Sequence, residues 1–492
     1  MKYQYKVFDA AIIGSGLGGL IAATYLAREN RNVLLLKESG YQPSCVREGY
    51  RFLPFSNFSE KRIKTALLKR VFRTLDISFP THQQEESGQT ENKLKKPERE
   101  VDFQVILPKS RIDLYQERSL LQREWKREFP GELTQVENFY AEMDRIKHIF
   151  KMLKSKETME SLFPVHPGSL FRRWFSFDTL PKGRMGEKLS NHSSEFKKFM
   201  QLQTISLGNL ISDSLPVSLV SHLLLSDEEN EWREYVDLEV MTEYIFEKFL
   251  QSGGRVEAVE GLKRVEMKRR DGFVLSLKGE EKLFRSESVI LNSPLHCLLN
   301  LFGEKGKRVL KWGEKVGPRY VFVPIFLGIR EKVIPVGMRD LFVSILDLEK
   351  PYEGGNLLFL SLSQKGDEAQ APEGRRALIA QGLIPFGRFD QGSFDDLQSG
   401  VMKHLRHLFP FLEKHIELID REWTDRQIAC WSYPHFLYET NHHFRWREGI
   451  VPVRLSSHLY FTGKENFPYL GLEGEVLSGL MAGREILKRY RS

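Results

Sequence analysis

Apolar and polar positions along the chain predict a strand, a glycine turn, a helix and a second strand over Asp9–Leu36. An unbroken run, Ala10-Ala11-Ile12-Ile13, stops at Gly14, and a second run closes with Leu34-Leu35-Leu36. A short strand over Glu48–Phe52 leads into Pro54. The stretch from Pro80 to Glu100 is polar, lacks aromatics and has no apolar period, which predicts a mobile surface insertion. Order returns with alternation at Val101, Phe103, Val105 and Leu107, a Pro-Lys-Ser turn, and Arg111–Tyr115, the pattern of a hairpin. Leu121, Trp125 and Phe129 then mark one helical face that stops at Pro130-Gly131. A longer helix carries Val136, Phe139, Tyr140, Met143, Ile146, Phe150 and Leu153.

Further on, a helical pattern over Met241–Leu250 ends at Ser252-Gly253-Gly254. Strand-like segments follow at Arg255–Val259, Gly272–Leu277 and Val289–Leu291, the last ending in Asn292-Ser293-Pro294. The chain closes with a strand into a glycine turn, His458–Gly463, and a helix from about Gly474 to Arg489. The expected fold class is therefore α/β. Residues 1–58, 232–298 and 440–492 form a Rossmann-like domain from discontinuous segments, and residues 59–231 and 299–439 form a mixed α+β substrate or cap domain.

A length of 492 residues suits two joined domains, and 41% hydrophobic with 28% charged residues is a folded composition. No apolar run reaches the roughly 18–20 residues a membrane span needs. The N-terminus shows no secretory pattern, and Cys45, Cys297 and Cys430 lack metal or redox spacing, so a cytoplasmic setting is expected. The formal charge of +7 permits attraction to anionic lipid. It is spread along the chain without a recognition motif, which argues against a nucleic-acid partner.

Between its predicted strand and helix, Gly14-Ser15-Gly16-Leu17-Gly18-Gly19 satisfies G-x-G-x-x-G. Gly14 permits the tight turn, Gly16 lets backbone approach a pyrophosphate, and Gly19 lets helix pack on strand, while the helix N-terminus offers amide donors. The acid expected about 20 residues later, for a ribose hydroxyl, is Glu38, preceded by Lys37. A lysine there also suits a phosphorylated ribose, which keeps NADP as an alternative.

Near the C-terminus stand Leu459-Tyr460-Phe461-Thr462-Gly463-Lys464-Glu465 and then Gly471-Leu472-Glu473-Gly474-Glu475-Val476-Leu477-Ser478-Gly479. This segment resembles the closing motif of phytoene desaturases and flavin amine oxidases. The resemblance implies FAD as cofactor, with Gly463, Lys464, Glu465, Gly471 and Gly474 around its flavin end. Ser252–Val256 followed by Leu262 is similar to the family segment whose backbone contacts adenine. Trp423, Tyr433 and Pro434 stand where the wider family has aromatics. Two features depart from the pattern: Tyr41–Cys45 replaces the usual Gly-Gly pair, and Lys464 stands where the acid is expected, placing the acidic role on Glu465.

Glu60–Leu75 puts Ile63, Leu67, Val71 and Leu75 on one helical face among Lys61, Arg62, Lys64, Lys69, Arg70 and Arg73. Such a helix suits either the protein's own core or a membrane surface, with Phe171–Phe175 as a second basic-aromatic cluster. His442-His443 completes no metal site, so no metal is expected. The resemblance points to an FAD-dependent oxidoreductase that desaturates or isomerises an apolar polyisoprenoid or other lipid, with peripheral membrane contact. A flavin-dependent amine oxidase and a non-catalytic dinucleotide-fold protein are the alternatives. No residue pattern singles out a catalytic base or specifies the electron acceptor.

Overall fold

The computed structural model describes residues 6–55, 57–61, 63–78, 101–156, 183–225, 235–236, 238–268, 272–279, 283–298, 301–302, 318–388, 391–427, 430, 435–439 and 451–491. Lys6–Ile13 is central in a seven-stranded sheet, flanked in parallel by Val33–Glu38 and by Leu283–Leu291. Arg255–Val259 pairs in parallel beyond Val33–Glu38. The first half of Leu283–Leu291 carries the antiparallel hairpin of Leu262–Lys268 and Gly272–Leu277, while its last residues pair in parallel with the closing strand, Leu459–Phe461. The two ends of the chain thus lie one strand apart. Ala10–Ile13, Val33–Leu36 and Val289–Leu291 are all buried, as expected for parallel strands with both faces covered.

The first helix, Leu17–Arg28, packs against the closing helix, Leu472–Arg491, and against Leu238–Gln251. At the crossing with the closing helix, a Cβ on Gly479 would overlap the Gly18 carbonyl. Backbone meets backbone there, and no side chain fits between.

The second sheet has nine strands. Its longest, Pro318–Arg330, pairs with Arg375–Pro385 on one edge and with Ile416–Asp420 and Phe436–Glu439 on the other. The hairpin of Val101–Ile106 and Arg111–Tyr115 joins this sheet beside Leu341–Ile345. Helix Gln391–Leu408 covers one face through Leu397, Val401 and Leu405. Helices Arg118–Glu128, Leu133–Lys156 and Ser194–Leu207 extend the main core with aromatic packing around Trp125 and Tyr140, whose ring centroids are 4.2 Å apart.

The single helix expected over Glu60–Leu75 is broken. Phe58–Lys61 is one helical turn, Ile63–Lys64 is extended and pairs with Tyr235–Val236, and the helix resumes at Thr65–Leu75. The strand pairing requires extended backbone where helical periodicity alone gives a continuous helix. Val71 and Leu75 are buried, so these two positions of the supposed lipid face serve the protein's own core. The expected insertion at about 80–100 and the cluster Phe171–Phe175 lie outside the described residues.

Gly479→Val would force the two helices apart. The expected loss is about 2 kcal/mol or more of folding stability, from overpacking at a close backbone contact. Chemical denaturation checks it, with Ala482→Val, also buried on the closing helix, giving the ordinary cost of extra volume.

Candidate functional site

The site begins where three strand ends meet. Asn292 donates its backbone N–H to the Ile13 carbonyl (2.8 Å) and its side-chain Nδ2 to the Thr462 carbonyl (3.0 Å), while the Thr462 N–H donates to Leu291 (2.9 Å). Against this junction lies the glycine turn. Gly14 has φ 108°, a left-handed value that favours glycine, and a Cβ there would overlap the Asn292 carbonyl. Gly16 is the N-cap of the first helix, and a Cβ on it would stand 2.9 Å from Asn292 Oδ1 and 3.2 Å from a Glu475 carboxylate oxygen.

A cavity of about 470 Å³ opens from this turn and extends to the second sheet. Its nucleotide-fold end is lined by Ser15, Gly16, Leu17, Lys37, Asn292 and Ser293. The closing segment contributes Thr462, Gly463, Lys464 and Glu465, and the far end is walled by Leu53, Phe55, Leu341, Leu362 and Phe436.

Charge is concentrated in the middle. Lys464 Nζ lies 2.8 Å from a Glu60 oxygen and 3.4 Å from His435 Nδ1. Burial works against the Lys464 ammonium, but Glu60 and then Glu475 hold its pKa above the usual lysine value. Burial, with Lys464 beside it, pushes the His435 imidazole down to about 3, so the ring is neutral at ordinary pH. Glu475 Oε1 accepts the Gly18 N–H at 3.2 Å. Burial raises the Glu475 carboxyl above the usual range, against the opposing pull of Lys464 and the Gly18 and Leu17 amides.

The sequence-predicted residues separate into two groups. Ser15, Gly16, Leu17, Lys37, Gly463, Lys464 and Glu465 line the cavity; Gly14, Gly18, Gly19, Glu38, Leu262, Gly471 and Gly474 do not. Strand alternation explains the pair at the end of Val33–Glu38: Leu35 and Lys37 line the cavity, whereas Glu38 points the other way and is 6% exposed. Leu262 opens an antiparallel strand and is buried in the core. Glu465 lines the cavity, but its oxygens already accept the Leu295 N–H at 3.0 Å and the Tyr438 hydroxyl at 2.6 Å. Trp423 donates to the Ser44 carbonyl away from the cavity; Tyr433, Pro434, His442 and His443 lie outside the described residues.

Sequence reasoning passed over Asn292, Glu60, His435, Tyr438 and Glu475 as site residues. Asn292 had a visible signal in its place at the end of an apolar strand beside Ser293-Pro294, and Glu475 in its place next to Gly474 in the closing segment. Burial raises the Cys45 and Cys297 thiols to about 12 and Cys430 to about 11, the condition of inert packing cysteines. Among the described residues, no group of His, Cys, Asp or Glu could hold a metal ion.

Comparison with known proteins gives this geometry a family. The sequence pattern of the NAD(P)-binding Rossmann-like domain matches residues 12–42, and that of the flavin containing amine oxidoreductases matches residues 250–487. The prolycopene isomerase of Arabidopsis thaliana chloroplasts is 23% identical over 452 residues, which span 84% of this chain and 70% of that protein. Together these matches support the phytoene desaturase and flavin amine oxidase superfamily for this chain. A wild-type putrescine oxidase shares the fold with a TM-score of 0.59 at 15% identity, covering 99% of this chain and all of that one. Rab GDI from Plasmodium falciparum does so with a TM-score of 0.52 at 10% identity, covering 99% and 98%.

The same matches support a flavin-dependent oxidoreductase and point to FAD as its cofactor. The cavity fits such a group. Asn292 Oδ1, Ser293 Oγ and Thr462 Oγ1 are buried without a protein partner where the cavity meets the glycine turn. Buried polar atoms are costly when left unpaired, and a polar ligand satisfies them. Ser15–Leu17, Asn292, Ser293, Thr462 and Gly463 are the residues that would hold it.

Lys464→Met would remove the buried ammonium from beside Glu60 and Glu475. A loss of about 3 kcal/mol of stability is expected at neutral pH. The loss should shrink as pH falls and the carboxylates take up protons, which thermal unfolding between pH 5 and 8 measures.

Proposed function

We propose that this oxidoreductase desaturates or isomerises an apolar polyisoprenoid or a related unsaturated lipid. The observation that carries the reading is the wall of the cavity beyond its charged middle, where Leu53, Pro54, Phe55, Leu341, Leu362 and Phe436 form an apolar surface. A hydrocarbon substrate is held by such a wall through burial alone, at about 25 cal/mol per Å² removed from water. The prolycopene isomerase relative supports the same substrate class.

A carbon–hydrogen bond beside an alkene offers no acidic handle to ordinary side chains, and bound FAD supplies the hydride acceptor such a bond requires. The protein's part is orientation and exclusion of water. His435, neutral under ordinary conditions, and Tyr438, whose hydroxyl is tied to Glu465, bring no charge to the boundary between the polar and apolar ends. Lys464 is confined by its ion pair with Glu60.

An amine oxidase is the second reading. It is favoured by the family match over residues 250–487 and by the carboxylates of Glu239 and Glu243 on the cavity lining, which would attract an ammonium group. Glu239 is already paired with Arg51 at 2.6 Å and Lys464 with Glu60 at 2.8 Å. The apolar wall is what weighs toward the apolar substrate.

Protein purified with added FAD should show flavin absorption bands, and anaerobic addition of an acyclic polyene should bleach them or isomerise the polyene. Bleaching by putrescine or a monoamine, with no effect of polyenes, would transfer the proposal to the amine reading. Phe436→Glu, which puts a carboxylate into the apolar wall, should leave the flavin bands and lower turnover of the polyene by roughly ten-fold or more, through desolvation of a buried charge.

A further inference from the structure

A side-chain carboxylate, that of Glu475, already sits against the nucleotide turn. The amides at the N-terminus of the first helix are the donors that receive a pyrophosphate in glycine-turn nucleotide folds. Here the Gly18 N–H donates to Glu475 Oε1 at 3.2 Å, and the same carboxylate lies where a Cβ on Gly16 would be 3.2 Å from it. Glu475 is 6% exposed and lines the cavity. Beside it, Asn292 Oδ1, Ser293 Oγ and Thr462 Oγ1 lack protein partners. The turn therefore has its anion while the surrounding cradle is left unsatisfied.

We infer that Glu475 is an internal stand-in for the cofactor's diphosphate, which competes with its ionised form, so that FAD is bound together with one proton on Glu475. This rests on FAD being the ligand of the site. Two like charges on one set of amides repel, and the less basic group, the diphosphate, keeps its charge while the buried carboxylate takes a proton from solvent. No other group changes in compensation.

The surroundings favour the carboxylate as the group that yields. Lys464 is ion-paired with Glu60 at 2.8 Å. The Tyr41 phenol, pushed up by burial and by Glu60 and Glu475, stays neutral, and His435 is neutral above about 3. Glu475 itself is raised by burial and lowered by Lys464 and the two amides. A ligand that raises a carboxyl pKa further binds most tightly below the free protein's pKa. Its affinity falls as pH rises from there to the pKa of the complex.

Calorimetric titration of the full-length protein with FAD tests this, at pH values from 5.5 to 8.5 and in two buffers of different ionisation enthalpy. The wild type should take up close to one proton per FAD in the upper part of this range and bind more weakly as pH rises. Glu475→Gln keeps an acceptor for the Gly18 amide without the charge, and Glu475→Ala removes both. Either should bind FAD roughly ten-fold more tightly at pH 8, with no proton uptake and a flat pH profile, the effect of removing one like charge. Thermal unfolding of the variants confirms that they are folded. Wild-type binding without proton uptake, or weaker binding by Glu475→Gln than by wild type, would overturn the inference and leave the flavin reading intact. No FAD binding by wild type or either variant would overturn both.

Discussion

Asn292 joins the beginning, the middle and the end of the chain. Its backbone bonds the first strand, its side chain bonds the closing strand, and its surface fills the space left by Gly14, Gly16 and Gly19. A nucleotide site made from segments more than 400 residues apart needs such a fixed point, because each segment alone ends in orphan strand-end groups. The crossing of Gly18 over Gly479 then sets how near the closing helix comes, and so places Glu475 on the amides of the first helix. The charged centre of the cavity follows from that approach.

Electrostatics and apolar packing divide the cavity between them. Near the glycine turn, buried carboxylates and one lysine are held by short contacts that a polar ligand can exchange for its own. Toward the second sheet aliphatic and aromatic side chains predominate, with Lys61, Gln364 and Gln370 among them, and the two ionisable rings at the boundary, His435 and Tyr438, are kept neutral by burial or by a carboxylate partner. One continuous space thereby has a polar end and a more apolar end. The fold alone does not dictate that chemistry, as a Rab GDI and a putrescine oxidase share it.

Much of the fold was legible in the sequence because parallel strands buried on both faces leave continuous apolar runs, and Ala10–Ile13, Leu34–Leu36 and Val289–Leu291 all became such strands. The glycine turn was legible for the same local reason. What sequence could not supply was direction. Lys37 and Glu38 are adjacent, and only the pleat decides that the lysine faces the cavity. Lys464 and Glu465 are adjacent too, and only the tertiary structure shows Glu465 held by Leu295 and Tyr438 while Lys464 meets Glu60. Glu60 itself lay inside a segment read as one amphipathic helix, whose break depends on a partner strand more than 170 residues away.

The central claim, that both chain ends and the strand-end junction form a single ligand site, is tested most directly by hydrogen–deuterium exchange with and without FAD. The account predicts that FAD slows exchange together in peptides covering residues 12–20, 289–295 and 459–466, and leaves helix Gln391–Leu408 unchanged. Protection confined to the N-terminal peptide, with the closing segment exchanging as in the free protein, would contradict it.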